Sequence, residues 1–130
     1  MSSPPKPPSA EPAIRVVTMP RDTNAQGTIF GGFILSLIDQ AAYVEALRQS
    51  HQRYVTVAVR EVEFQQPVFV GDVLSLYAST LRVGTTSIAV RVRVTAARRR
   101  APDTVVPVTE AEVVLVALDD AGRPTPVVPG

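Results

Sequence analysis

An α+β domain, one long helix against a curved antiparallel sheet, is the fold class this 130-residue chain predicts. Three observations carry the prediction. A single long segment, from about Gly32 to about Ser50, has helical periodicity, with Ile34, Leu37, Ile38, Ala41 and Ala42 at spacings of three and four. After it, apolar and polar residues alternate over long runs joined by short turns, which requires antiparallel pairing. Within the first of those runs the alternation changes phase at Glu61, where Val62 and Phe64 replace Val55, Val57 and Val59 as the apolar positions. A strand that changes face in mid-run contains a bulge or a strong bend, so the sheet curves.

Composition narrows the function classes. The length fits one domain, and 45% hydrophobic residues are enough for a sizeable core. A formal net charge of +1 argues against a nucleic-acid binder and against a polybasic membrane anchor. There is no Cys, which excludes disulfides, iron–sulfur clusters and Cys-ligated zinc. With one His, a three-His metal site could form only between subunits, so no metal is expected. No apolar run is long enough to span a bilayer, and the N-terminus is proline-rich rather than apolar. The expectation is a soluble cytoplasmic protein without a membrane or nucleic-acid partner.

Residues 1–12 contain Pro4, Pro5, Pro7, Pro8 and Pro12, and read as a disordered or extended tail. The domain proper is expected over 13–123, with a flexible C-terminal tail over 124–130. Ile14 to Met19 is the first strand, ended by Pro20. The loop Arg21 to Gly27 is polar and turn-like, a poor core and a good place for a site. Its Asn24 can donate and accept hydrogen bonds at once, although an ordinary turn residue would look the same. In the helix, Phe33 and Val44 widen the apolar face past half the circumference, as in a helix wrapped by protein. Arg48 and the nearby His51 and Arg53 suit the negative end of that helix, which reads His51 as a surface residue. Val73 to Leu81 and Ile88 to Ala96 are strands around the turn Arg82 to Thr85, with Arg91 and Arg93 pointing away from the apolar face. Arg98, Arg99 and Arg100 form a basic run at a strand end, either a solvated loop or a clamp for phosphates. Glu110 to Leu118 is the last strand, apolar on both faces, and Asp119 to Gly122 turns the chain.

Two features of the helix point to chemistry. Gly31 and Gly32 stand at its start, where the first turn has free N–H groups and a backbone without Cβ atoms lets a ligand approach. About two turns on, Asp39 places a carboxylate beside the apolar band, which is costly unless hydrogen-bonded or used. One element thus offers an anion-stabilising end and a candidate base.

The segment Met19 to Gly32, MPRDTNAQGTIFGG, followed by Asp39, resembles the cytosolic acyl-CoA thioester hydrolases of the hotdog fold. The similarity continues through Val55-Thr56-Val57-Ala58, Phe64 with Pro67, Val70-Gly71-Asp72, Gly84-Thr85-Thr86-Ser87, Val116 to Asp119 and Gly122-Arg123-Pro124. Departures are Phe33, where members often have Trp, and Ala41 or Ala42, where they often have Gly. The resemblance implies a sheet wrapped around a central helix, a homodimer with joined sheets, and further assembly into a hexamer as a trimer of dimers. It implies hydrolysis of acyl-CoA to carboxylic acid and CoA. Asp39 would be general base or nucleophile, Asn24 would orient water or thioester, and Gly32 would offer its N–H to the oxyanion. Gly31, Phe33, Thr56, Ser87 and the arginines 98–100 are the substrate-binding candidates. No cofactor is implied beyond the CoA of the substrate. Two other classes stay open: a non-catalytic acyl-CoA-binding module, and an enoyl-CoA hydratase-type hotdog enzyme, which generally pairs a His with an acid.

Overall fold

The computed structural model describes residues 5–127. The elements are β1 (Ile14–Val17), a single 3-10 turn (Pro20–Asp22), α1 (Gly31–Gln49), β2 (Arg53–Phe64), β3 (Val73–Val83), β4 (Ser87–Arg98) and β5 (Ala101–Leu118). The five strands form one sheet in the order β1-β3-β4-β5-β2, every neighbour antiparallel. Helix α1 lies across one face.

The core is the seam between them. Ile34, Leu37, Ile38, Ala41, Ala42 and Ala46 pack on Leu74, Leu76, Ile88, Val90, Val92, Val94, Val113 and Leu115, all buried. Alanines at 41, 42 and 46 let the helix sit close to a sheet of branched side chains. The periodicity identified this buried stripe, but not the whole face around it. Leu35, Tyr43 and Val44 are 37–42% exposed, so the helix side away from the sheet is apolar and uncovered in the single chain. Val55, Val57 and Val59 of β2 are exposed as well. Arg91 and Arg93 lie on the far side of the sheet, with Arg93 stacked 4.9 Å over the Tyr77 ring.

Curvature arises at β2. Its pairing with β5 shifts register between Thr56 and Ala58 and again between Arg60 and Glu63. Glu61 takes φ 59° there, a left-handed conformation unusual for a residue with a Cβ. The phase change in the sequence is this bulge.

Two boundaries differ from the sequence reading. Strand β5 begins at Ala101 rather than Glu110, so residues taken as a loop after Arg100 are paired with β4. Pro102 and Pro107 hide it. Pro107 is tolerated because it sits beside the register shift at Val94 and Thr95, where the ladder is already interrupted. At the other end the packed chain runs past Arg123: Thr125 donates to Ala117, Val127 donates to Thr85, and Val127 is fully buried. Residues 5–12 contain neither helix nor strand, yet Pro7 accepts from Arg48 at 2.8 Å, and Lys6 exchanges backbone hydrogen bonds with the Gln49 side chain. The remaining parts of the two expected tails, 1–4 and 128–130, lie outside the described residues.

A buried carboxylate ties the end of the helix to the sheet. Glu45 is 3% exposed and accepts from Arg48 Nε (2.8 Å) and Nη2 (3.1 Å), Gln49 Nε2 (3.0 Å) and Thr80 Oγ1 (2.7 Å). Burial works to raise its pKa, but the hydrogen bonds from Arg48, Thr80 and Gln49 outweigh it and hold the carboxyl below its usual range. Among the described residues no helix is long and apolar enough to cross a membrane.

Candidate active site

Helix α1 begins without a conventional cap. Phe30 occupies the N-cap position, no side chain bonds the first-turn amides, and the first turn holds no acidic residue. The first backbone bonds run from Phe33 and Ile34 to the Phe30 carbonyl, so the Gly31 and Gly32 amides precede them and stay unspent. Gly32 is exposed, and a Cβ there would come within 2.5 Å of the Phe30 ring. Beside Gly31, a cleft of about 280 Å³ is lined by Thr28, Ile29, Ile34, Phe64 and residues 65–68. The arrangement leaves the positive end of a 19-residue helix open to an anion or a developing negative charge.

Two turns along, Asp39 lies on the exposed side of the helix, next to Leu35, Tyr43 and Val44. Thr56 Oγ1 on β2 donates to Asp39 Oδ1 at 2.5 Å. Thr56 pairs with the core residue Leu115, so its side chain lies on the sheet face that meets the helix. One carboxylate oxygen is therefore held, and the other makes no hydrogen bond among the described residues. Thr56, proposed from sequence as a substrate contact, is in this chain a partner of the candidate base. Phe33 is half-buried and packs against the core.

Asn24 is held by its own loop. Its Oδ1 accepts from the Gln26 and Thr28 amides (2.9 and 3.1 Å), and its Nδ2 donates to Thr28 Oγ1 (2.9 Å). It makes no hydrogen bond to Asp39 within the chain. Ser87 opens β4 out of phase with Ile88, Val90 and Val92, which face the helix, so it lies on the sheet face away from Asp39.

The three arginines separate. Arg98 is not a solvated residue: its Nη1 reaches Asp72 Oδ2 (2.8 Å) and the Pro67 carbonyl (2.9 Å), and its guanidinium stacks 5.1 Å over Phe69. Asp72 is 2% exposed and also accepts from the Phe69 and Arg99 amides, so this cluster fixes the 67–72 turn to the β4–β5 hairpin. Arg99 and Arg100 are exposed in that hairpin, and the arginines, Gly27, Phe69 and Val70 border a cleft of about 410 Å³. His51 is exposed beyond the helix's C-terminal end, in a shallow cleft with Asp119 and Asp120. That is more than three turns from Asp39. Sequence reasoning gave Glu45 no role, and met Asp72 only inside the Val70-Gly71-Asp72 resemblance, without a partner. Each looks like an ordinary surface acid, and only the packing reveals its partners.

Residues 26–102 match the thioesterase superfamily. The chain belongs to that family. The stretch matched runs from the Asn24 loop's end, through the helix and its Asp39, to the arginine hairpin. Over 128 residues the chain is 42% identical to an uncharacterised acyl-CoA thioester hydrolase of Zymomonas mobilis, covering 98% of this chain and 85% of that one. It is 39% identical over 122 residues to the acyl-CoA thioester hydrolase YciA of Salmonella typhimurium, covering 92% and 91%. Among solved structures, a hexameric hotdog fold thioesterase of Campylobacter jejuni superimposes with a TM-score of 0.85 at 43% identity, with 90% of each chain covered. Within this thioesterase the sheet and its helix are the hotdog fold. The uncapped start and the Thr56-held carboxylate both belong to its central helix.

Proposed function

We propose that the protein hydrolyses acyl-CoA thioesters to the free carboxylic acid and CoA. The observation that carries the reading is a carboxylate oriented by one hydroxyl, on the same apolar helix edge as an uncapped N-terminus with two unspent amides. A general base and an oxyanion site are what thioester hydrolysis requires. Asp39 takes a proton from water as that water attacks the carbonyl carbon, or Asp39 attacks that carbon itself, forming a mixed anhydride that water then hydrolyses, regenerating the carboxylate and supplying the proton for the thiolate. The charge that develops on the carbonyl oxygen meets the Gly32 N–H and the positive end of the helix. Collapse of the tetrahedral species expels the CoA thiolate, which takes up the proton. Asn24 orients the water or the thioester. Arg99 and Arg100 are the phosphate-binding candidates, because Arg98 is already committed to Asp72. Exposure of His51 at the far end of the helix speaks against a hydratase that pairs His with an acid.

The active unit is a homodimer, assembled into a hexamer. Seven residues separate Gly32 from Asp39, about 10 Å along a helix axis, so one thioester cannot touch both within one chain. Two antiparallel helices related by a two-fold axis between Leu35 and Ser36 set each Gly32 opposite the partner's Asp39. That contact also covers the apolar side of α1, and the uncovered edge of β2 gains a strand. Each site then takes Asn24, Gly31 and Gly32 from one chain, Asp39 and Thr56 from the other.

Thiol release from a series of acyl-CoAs tests the activity, and Asp39→Asn should reduce turnover by about 100-fold or more while the variant still binds substrate. Near-wild-type release by folded Asp39→Asn protein refutes the assignment. Mixing inactive Asn24→Ala and Asp39→Ala chains by refolding should restore roughly a quarter of wild-type activity, because half the dimers are mixed and each mixed dimer holds one intact site. Verified exchange without recovery refutes the shared site.

A further inference from the structure

We infer that the cleft of about 280 Å³ beside Gly31 holds the pantetheine arm of the substrate, with Phe64 as the side chain that grips it, an inference that rests on the thioesterase reading above. The cleft lies between two segments, 28–31 at the helix entrance and 64–68 at the end of β2. The Ile29 amide donates to the Val68 carbonyl at 2.8 Å and ties the segments together. The arginine-bordered cleft of about 410 Å³ uses the same two segments one step farther along, with Gly27 on one and Phe69 and Val70 on the other. The two clefts therefore adjoin along one seam of one chain, with the arginines at one end and the helix start at the other.

That order is the covalent order of an acyl-CoA: phosphates, then a branched hydroxyl-bearing unit, two amides, and last the thioester sulfur and carbonyl. A substrate with its phosphates on Arg99 and Arg100 and its carbonyl at the Gly32 amide lays the arm across the cleft between them. The cleft fits an arm and nothing larger, since sites that hold a whole small molecule have about 300–1,000 Å³. Its lining suits an arm of mixed polarity. Ile34, Phe64 and Val68 are apolar, and Thr28, Gln65 and Gln66 bring hydroxyl and amide groups that can pair with the arm's own amides. Phe64 ends β2 after the Glu61 bulge, and its ring reaches the helix start: a Cβ on Gly31 would stand 3.6 Å from the ring's Cζ. Gly31 lacks that carbon, so the cleft stays open to the first helical amides. In the dimer proposed above, the partner's Asp39 stands opposite Gly32, and the Gly31 end of the cleft is where the arm presents its thioester to the base.

The test is kcat/KM for thiol release from three butanoyl thioesters: of CoA, of pantetheine, which lacks the phosphates, and of N-acetylcysteamine, which keeps only the amide nearest the sulfur. Wild type should favour the pantetheine ester over the N-acetylcysteamine ester by about tenfold or more. Phe64→Ala should lower kcat/KM for the CoA and pantetheine esters by about tenfold each, the scale of lost pocket contacts, and leave the N-acetylcysteamine ester within about twofold. Phe64→Tyr, which keeps the ring, should leave all three within about twofold. Circular dichroism separates a loss of structure from a loss of contact, and if Phe64→Ala does not fold, the same ratio is read from the smaller truncation Phe64→Leu. A folded variant that loses equally on all three esters overturns the proposal, because Phe64 would then act on the helix start and not on the arm. A wild type that treats the pantetheine and N-acetylcysteamine esters alike overturns it too. Failure of the wild type to release thiol from any of the three overturns the thioesterase reading instead, and the cleft's role with it.

Discussion

Replacing Glu45 by Ala should cost about 3 kcal/mol of stability, and the figure follows from where its partners end up. Four hydrogen bonds converge on the carboxylate, from Arg48 twice, Gln49 and Thr80. The Arg48 side chain is 32% exposed and turns to water when released, so its pair is worth about 0.5–1 kcal/mol after solvent screening. Gln49 is half-buried and behaves similarly. Thr80 is different: its hydroxyl loses a charged acceptor inside the helix–sheet seam, worth about 1.5–3 kcal/mol. Glu45→Gln keeps the volume and one acceptor oxygen, and should cost about 1–2 kcal/mol. Urea unfolding at one fixed protein concentration measures both, since an oligomer's apparent stability depends on concentration. The pH dependence adds a second check. The folded-state pKa of Glu45 lies below the unfolded value, so its contribution is complete above the usual carboxylate range and disappears as pH falls through the folded pKa. The gap between wild type and Glu45→Gln should accordingly be full at pH 7 and narrow in acid. A Glu45→Ala chain within about 0.5 kcal/mol of wild type at pH 7 refutes the reasoning, because that is the range of a surface change.

Thr56→Val should lower kcat by about tenfold with little change in KM, because it removes the hydroxyl that holds Asp39 Oδ1, and Thr56→Ser should restore most of the loss; equal kcat for Val and wild type would show that the bond is incidental. The arginines should divide by role. Arg100→Ala should weaken acyl-CoA binding by about 1–3 kcal/mol and leave an acyl-pantetheine substrate unaffected, as read from KM for the two substrates. Arg98→Ala should instead lower the unfolding midpoint, by a loss of about 3 kcal/mol, because the 2%-exposed Asp72 is left without its cation.

Much of this architecture is determined by local pattern. Spacings of three and four set the helix and its buried stripe, because a helical period of 3.6 leaves only one way to bury Ile34, Leu37, Ile38 and Ala41 together. The alternation along β3 and β4 sets which of their residues face the helix, and the phase change at Glu61 marks the bulge in β2. Gly31-Gly32 and Asp39 were legible as candidates for the same reason: each breaks a local rule, a missing cap and a carboxylate on an apolar helix. What the sequence could not decide depends on groups brought together from distant parts of the chain. Pro102 and Pro107 argue against a strand locally, and the β4 ladder overrides them at a register shift. Arg98 has the composition of a solvated loop, but Asp72 lies 26 residues away and becomes its neighbour only through the fold. Glu45 and Thr80 are 35 residues apart, and Asp39 and Thr56 are 17 apart. A carboxylate's surroundings determine whether it is a base, a structural anchor or a solvated charge, and those surroundings are set by tertiary packing rather than by its neighbours in sequence.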